Sequence, residues 1–318
     1  MSEPATAPAG KAPSRAAGRS KGGLWLFVCR RPVFLAGYLI VAVMAWLAVF
    51  APLLPLRSPV DADAGAYLVA PGATHWMGTD AAGLDVLSRT LHAPRIDLAI
   101  ALIATLSAAA IGGTLGAFAG LWSGAGALRG AAAAVLLRTG DIVQAFPVFA
   151  LALVLVAVLG QGTTAVVIAI TVVNVPLYLR LMHAETMALR RMAFVEAAQI
   201  AGAGDVYLLR HHIVPNASAT LLSQMSTHAG TAVLIASGLS FIGAGVRAPT
   251  PEWGSMIAMG FQNVVTGQWW PSMFPGLALA LTVFGLGQVG ASILAYADPR
   301  ERQRPSRRAW RAFVAGSR

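Results

Sequence analysis

Long apolar runs separated by short polar stretches dominate the chain. A membrane-spanning helix needs about 20 mostly apolar residues. Six runs suit that role: residues 33–54, 98–121, 131–159, 163–182, 217–241 and 272–295. Glycines 112, 113, 116 and 120 punctuate the second run, and small residues of this kind let spanning helices approach closely. Gly160, Gln161 and Gly162 predict a tight turn between the third and fourth. Pro147 and Pro176 predict kinks in their helices. Residues 55–95 and 242–271 are too long for bare turns and too polar and proline-rich to span. The paired Trp269 and Trp270 suit a membrane interface, where one part of the ring is apolar and another wet. The pattern predicts an all-α membrane protein of about six transmembrane helices.

Composition agrees. Of 318 residues, 57% are hydrophobic and 11% charged, against about 45–50% and about 25% in soluble domains. Lipid is the simpler solvent for such a chain. The formal charge is +10, and Lys11 and Lys21 are the only lysines. Basic chains can bind nucleic acid, but here the arginines sit between and beyond apolar runs, which points to membrane orientation instead. With the N-terminus inside, the cytoplasmic segments carry Arg15, Arg19, Arg30, Arg31, Arg190, Arg191, Arg210 and the arginines after position 299. The outer segments carry only Arg57, Arg89, Arg95 and Arg247. The positive-inside rule then places both termini in the cytoplasm.

The expected organisation is a disordered basic N-tail at 1–32, a transmembrane domain at 33–298 and a basic C-tail at 299–318. The first apolar run is too long for the core of a signal peptide. The single cysteine, Cys29, excludes an intrachain disulfide or a CxxC metal site.

The most informative stretch is the loop at 183–216, with VEAAQIAGAGDVYLLRHHIVPN at 195–216. Helix formers fill 184–201. Gly202 and Gly204 can end that helix, because glycine accepts the left-handed cap conformation. Asp205 can cap a second short helix over 206–211, and Pro215, lacking a backbone donor, can open the fifth span. The product is a cytoplasmic knuckle of two short helices, a shape suited to docking a partner.

These residues resemble a known family. Glu196, Ala197, Ala198, Gly202 and Pro215 match the EAA-type loop of binding-protein-dependent ABC importer permeases. HWMGTDAAGLDVLSR at 75–89, RTGDIVQAFP at 138–147, LSFIGAGVRAPTPEWGSMI at 239–257 and the closing Asp298-Pro299-Arg300 are similar to segments of the dipeptide, oligopeptide and nickel permeases of the C type. The chain departs from that pattern at Leu84, where the family has arginine, at His212 in place of isoleucine, and in the last turns before Asp298.

The resemblance implies a type I importer permease fold and alternating access driven by ATP. The loop, including Asp205, would fit a groove on a cytoplasmic ATPase. Implied partners are a homologous second permease, two ATPase subunits, an extracytoplasmic solute-binding protein and the lipid bilayer of a bacterial cytoplasmic membrane. ATP and magnesium would sit on the ATPase subunits, and this chain would hold no cofactor or metal and bind no nucleic acid. Gly78, Thr79, Asp80, Pro251, Trp253 and Gly254 would lie in extracytoplasmic loops, receiving the binding protein or bracing the outer mouth.

Polar residues within the spans carry two readings each. Arg138 and Asp141 stand about one helical turn apart, which predicts an intrahelical ion pair near the cytoplasmic face, with substrate contact as the other role. Asn174, Gln224, Thr227 and His228 either line a translocation path or join neighbouring helices. They are mostly uncharged, which suits a peptide; a bare metal ion would want clustered His, Cys or carboxylate ligands. Nickel or another small solute is the alternative cargo.

Enzymatic readings fare worse. Neither lysine is followed by Ser or Thr, so no Walker A loop exists. An intramembrane protease using Ser240 and His228 would need groups 12 residues apart on one helix, about 18 Å, to touch. A proton-coupled transporter would need buried acids in several spans, and only Asp141 qualifies.

Overall fold

In lipid the backbone must satisfy its own N–H and C=O groups, so apolar runs fold as helices. The computed structural model describes residues 23–298. Residues 1–22 of the tail expected at 1–32, and all of the tail expected at 299–318, Pro299 and Arg300 included, lie outside the described residues. The first half contains α1 (Leu24–Cys29), α2 (Pro32–Phe50), α3 (Val86–His92), α4 (Pro94–Trp122), α5 (Ala127–Gln144) and α6 (Val148–Leu159). The second half contains α7 (Thr163–Leu189), α8 (Ala193–Ile200), α9 (Asp205–Leu208), α10 (Val214–Phe241), α11 (Trp253–Phe261) and α12 (Trp270–Ala297). Of the stretch expected as a disordered tail to residue 32, the described part is largely helical: Leu24–Cys29 form α1 and Pro32 opens α2. Among the described residues there is no β-strand, only an isolated bridge between Thr79 and Asp85.

Among the described residues, four helical stretches are long and apolar enough to cross a membrane: Pro32–Leu53, Val86–Trp122, Thr163–Leu189 and Trp270–Ala297. Two expected spans differ from expectation. The third is broken: α5 and α6 meet at 91° and make a fifth crossing only when taken together. Proline explains the break, because Pro147 lacks an N–H and pushes Phe146 away from the helical region. The fifth expected span is α10, 28 residues long. It has the length to cross, about 42 Å, but Asn216, Thr220, Gln224, Ser226, Thr227 and His228 leave it short of the apolarity of the others.

The centre of the bundle is the seam between α4 and α7. Gly112, Gly116 and Gly120 recur every four residues on one face of α4. A Cβ at Gly112 or Gly116 would overlap the backbone of Val175 or Leu179, and one at Gly120 would overlap the side chain of Thr186. Glycine is what lets the two backbones meet there. A larger apolar core joins α4, α6, α7 and α10 through Ala101, Ala104, Ala169, Ile170, Ala232 and Ala236. α12 packs on α10 and α2, with Gly37 of α2 facing Gly285 and Gln288 of α12.

Candidate coupling knuckle and open helical face

At one end of the bundle, α8 ends in a Schellman motif. Gly202 has φ +85°, its N–H donates to the Gln199 carbonyl, and the Ala203 N–H donates to the Ala198 carbonyl. Gly204, not Asp205, caps the next helix, and no side chain bonds at that cap. Asp205 instead accepts from the Trp122 indole N–H at 3.0 Å and pairs with Arg129 at 3.4 Å. The expected short helix over 206–211 also differs. α9 runs through a π-helical turn, Leu209–Ile213, straight into α10, and Pro215 lies in the first turn of α10. The knuckle is thus a continuous helical extension of α10 with α8 folded against it.

Its anchors are buried: Val195, Leu208, Leu209 and Ile213. Arg190 fastens it further, donating to the Gly120 and Ser123 carbonyls at 2.9 and 2.8 Å, the orphan acceptors where α4 ends. Its outer surface is apolar. Ile200 is 83% and Val206 68% exposed, joined by Phe194 and Tyr207, while Glu196 and Ala197 are exposed beside them. Sequence reasoning singled out Glu196, Ala197, Ala198, Gly202, Asp205 and Pro215 and missed Ile200 and Val206; the signal was two large apolar residues flanking the glycine bend.

The four path candidates separate. Asn174 is buried on α7, and neither its Nδ2 nor the hydroxyl of Tyr178, one turn on, has a hydrogen-bond partner among the described residues. His228 stacks edge-on against Tyr178 at 5.7 Å, within the α7–α10 contact. Thr227 is exposed and Gln224 half-buried. With Asn216, Thr220 and Thr231 they recur at steps of three or four residues and so form one polar face of α10. Ser223 and Ser226, by contrast, donate to the Gly290 and Leu286 carbonyls at 2.7 Å each and join α10 to α12.

The Arg138–Asp141 pair exists at 3.7 Å, but it is not merely intrahelical. Arg180 of α7 donates to the other Asp141 oxygen at 2.5 Å. Sequence spacing could not show a partner 39 residues away.

At the opposite end, the two long loops fold into a braced layer. Gly78, Thr79, Asp80, Trp253 and Gly254 are buried and Pro251 partly so. The Thr79 hydroxyl donates to the Ala66 carbonyl at 2.5 Å, and the Trp270 indole donates to the Thr79 carbonyl at 3.0 Å. Asp85 caps α3 through the Ser88 N–H and bonds His75 at 2.8 Å. Arg89, fully buried, donates to the Pro59 and Pro249 carbonyls at 2.9 and 3.0 Å, with Asp80 4.0 Å away. Glu252 caps α11 by accepting from the Gly254 and Ser255 N–H groups. The Trp253 backbone N–H donates to Asp97 and its indole to the Thr90 carbonyl. The loop residues picked from the sequence are therefore internal braces. The outward surface comes from neighbours such as Ala73, Trp76 and Ala248.

The bundle thus carries a folded layer at one end and an exposed apolar knuckle at the other. The chain belongs to the family described as binding-protein-dependent transport system inner membrane component, whose match covers residues 112–303. It is 36% identical over 269 residues to the probable D,D-dipeptide transport system permease protein DdpC of Escherichia coli K12, covering 85% of this chain and 88% of that one. It is 35% identical to the dipeptide transport system permease protein DppC of Alkalihalophilus pseudofirmus, covering 84% and 85%. It is 32% identical to the glutathione transport system permease protein GsiD of Pectobacterium atrosepticum, covering 87% and 90%.

Proposed function

We propose that this chain is one of two permease subunits of an ATP-driven importer of short peptides in a bacterial cytoplasmic membrane. Both termini and the knuckle face the cytoplasm, and the braced layer faces outward toward a solute-binding protein. Two ATPase subunits hold ATP and magnesium, and this chain performs no hydrolysis itself.

The exposed apolar knuckle is the observation that carries the reading. Large apolar side chains at a water-facing tip call for a partner, and its continuous helical connection to α10 gives that partner leverage on a span. Nucleotide binding draws the knuckles together and shifts a two-state equilibrium of the spans, because only a ligand with different affinity for two states can move them. Permease relatives named for dipeptides and glutathione support peptide cargo. The test is uptake of a labelled dipeptide into proteoliposomes holding the full complex and its binding protein. Uptake that needs internal ATP supports the reading; uptake indifferent to ATP, or of chelated nickel and no peptide, overturns it.

A further inference from the structure

Three charges stand on a face that the protein leaves unpacked. Arg138 is 83% exposed, Arg180 52% and Asp141 41%. They belong to helices of the membrane domain, α5 and α7. The neighbouring Gly140 packs against Pro176 of α7, so the trio straddles the contact between the two helices. Ionised side chains within spanning helices face a bundle interior, a water-filled cavity or a partner rather than acyl chains, and that is the setting this exposed face calls for.

The same open side includes the polar face of α10. α7 turns Leu179, Met182 and Thr186 toward the glycines of α4, and α10 turns Ala229, Ala232 and Ala236 into the core it shares with α4. The exposed residues, Arg180 and Ala184 on α7 and Thr231 on α10, with the half-buried Gln224 and with Thr227, whose hydroxyl also reaches Gly290 of α12, therefore lie on the side of both helices away from α4. The contact of Tyr178 with His228 holds these stretches at one level. The trio has two cations and one anion, a formal surplus of +1, on an otherwise neutral polar face. Asp141 occupies one guanidinium edge of Arg180 at 2.5 Å but reaches Arg138 only at 3.7 Å. Arg138 thus keeps most of its donor fork available, and a planar fork matches a carboxylate.

We propose that Arg138 and Arg180, bridged by Asp141, form an anion subsite of the translocation path that takes the C-terminal carboxylate of a passing peptide. The proposal rests on the peptide-import reading above. Asp141 has a positioning role: it holds Arg180 in place and leaves Arg138 as the cation that meets the cargo.

The experiment uses the reconstituted complex with saturating, peptide-loaded binding protein. Arg138→Gln is the informative variant, because so exposed a side chain carries little of the fold. Maximal uptake of a tripeptide with a free C-terminus should fall about tenfold, the equivalent of one charge-assisted hydrogen bond. Arg138→Lys should recover part of the rate, and uptake of the C-terminal amide should be insensitive to Arg138→Gln. Unchanged tripeptide uptake in Arg138→Gln, or equal loss for acid and amide, overturns the subsite. Failure of the second permease to co-purify with Arg138→Gln overturns it too, by making the arginine an interface residue. A wild-type complex that imports no peptide at all refutes the importer reading itself, and the subsite with it.

Discussion

The Trp122 indole donates to the Asp205 carboxylate at 3.0 Å across 83 residues, so the bend of the knuckle is pinned to the end of α4. Motion at the knuckle then reaches α4 as well as α10. Trp122→Phe keeps the ring and removes the donor. It should cost about 1 kcal/mol of stability, since the carboxylate is part-exposed and keeps Arg129. It should also lower peptide-stimulated ATP hydrolysis more than basal hydrolysis. Equal activity ratios in wild type and variant would remove Trp122 from the coupling route.

The α4–α7 seam separates two glycines three residues apart, Gly113 and Gly116. A Cβ at Gly116 would strike the backbone of Leu179, whereas one at Gly113 would meet Met182 at an ordinary 3.5 Å. Gly116→Ala should destabilise the protein by about 1–3 kcal/mol through overpacking, and Gly113→Ala should be close to neutral. Thermal unfolding in detergent reads both; equal melting temperatures would contradict the seam.

Arg89 braces the outer layer from inside. Arg89→Met strands the Pro59 and Pro249 carbonyls and leaves Asp80 without its nearest cation. The expected loss is about 1–3 kcal/mol, since the half-buried Pro59 and exposed Pro249 carbonyls can turn to water and Asp80 keeps the Ala82 and Leu84 N–H groups. Arg89→Lys should recover little, because a single nitrogen, Nη1, meets both carbonyls and the lysine side chain ends one bond short of it. Limited proteolysis of the 51–85 segment is the readout, and wild-type resistance in Arg89→Met would refute the bracing role.

Sidedness is tested in a Cys29→Ser background, since Cys29 is exposed. Cysteine at Ala73 or Ala248, both exposed, should react with an impermeant thiol reagent from outside. Cysteine at the buried Thr79 or Glu252 should react only after denaturation. A reporter fused after Arg318 should be active only in its cytoplasmic form. Labelling of Ala73→Cys only from inside would invert the topology.

The spans were legible because a 20-residue apolar run has one economical fate in lipid. Gly202 was legible for a similar local reason, since few residues other than glycine accept its φ of +85°. What stayed hidden was long-range. Pro147 signalled a kink, but the 91° angle between α5 and α6 depends on what each half packs against. Thr79, Asp80 and Glu252 stand in long polar loops, and the sequence leaves open whether such residues meet a partner or brace the layer. They are buried because backbone N–H groups, Arg89 and Trp270 satisfy them, and no local pattern announces that. Asp205 fits an N-cap by spacing alone, yet the indole and guanidinium nearby claim its carboxylate.

The central claim is that the knuckle transmits ATPase motion to the spans, and Gly202→Asp tests it most directly. The glycine has open space around it, so the substitution strains the bend through φ alone, by about 1–2 kcal/mol, and sets a charge beside the apolar tip. The measurement is ATP hydrolysis by the reconstituted complex with and without peptide-loaded binding protein, on variant protein shown to insert normally. The account predicts that stimulation by the loaded binding protein is lost or reduced at least about fivefold, with the ATPase subunits retained poorly on purification. Full stimulation together with full ATPase retention in Gly202→Asp would contradict it.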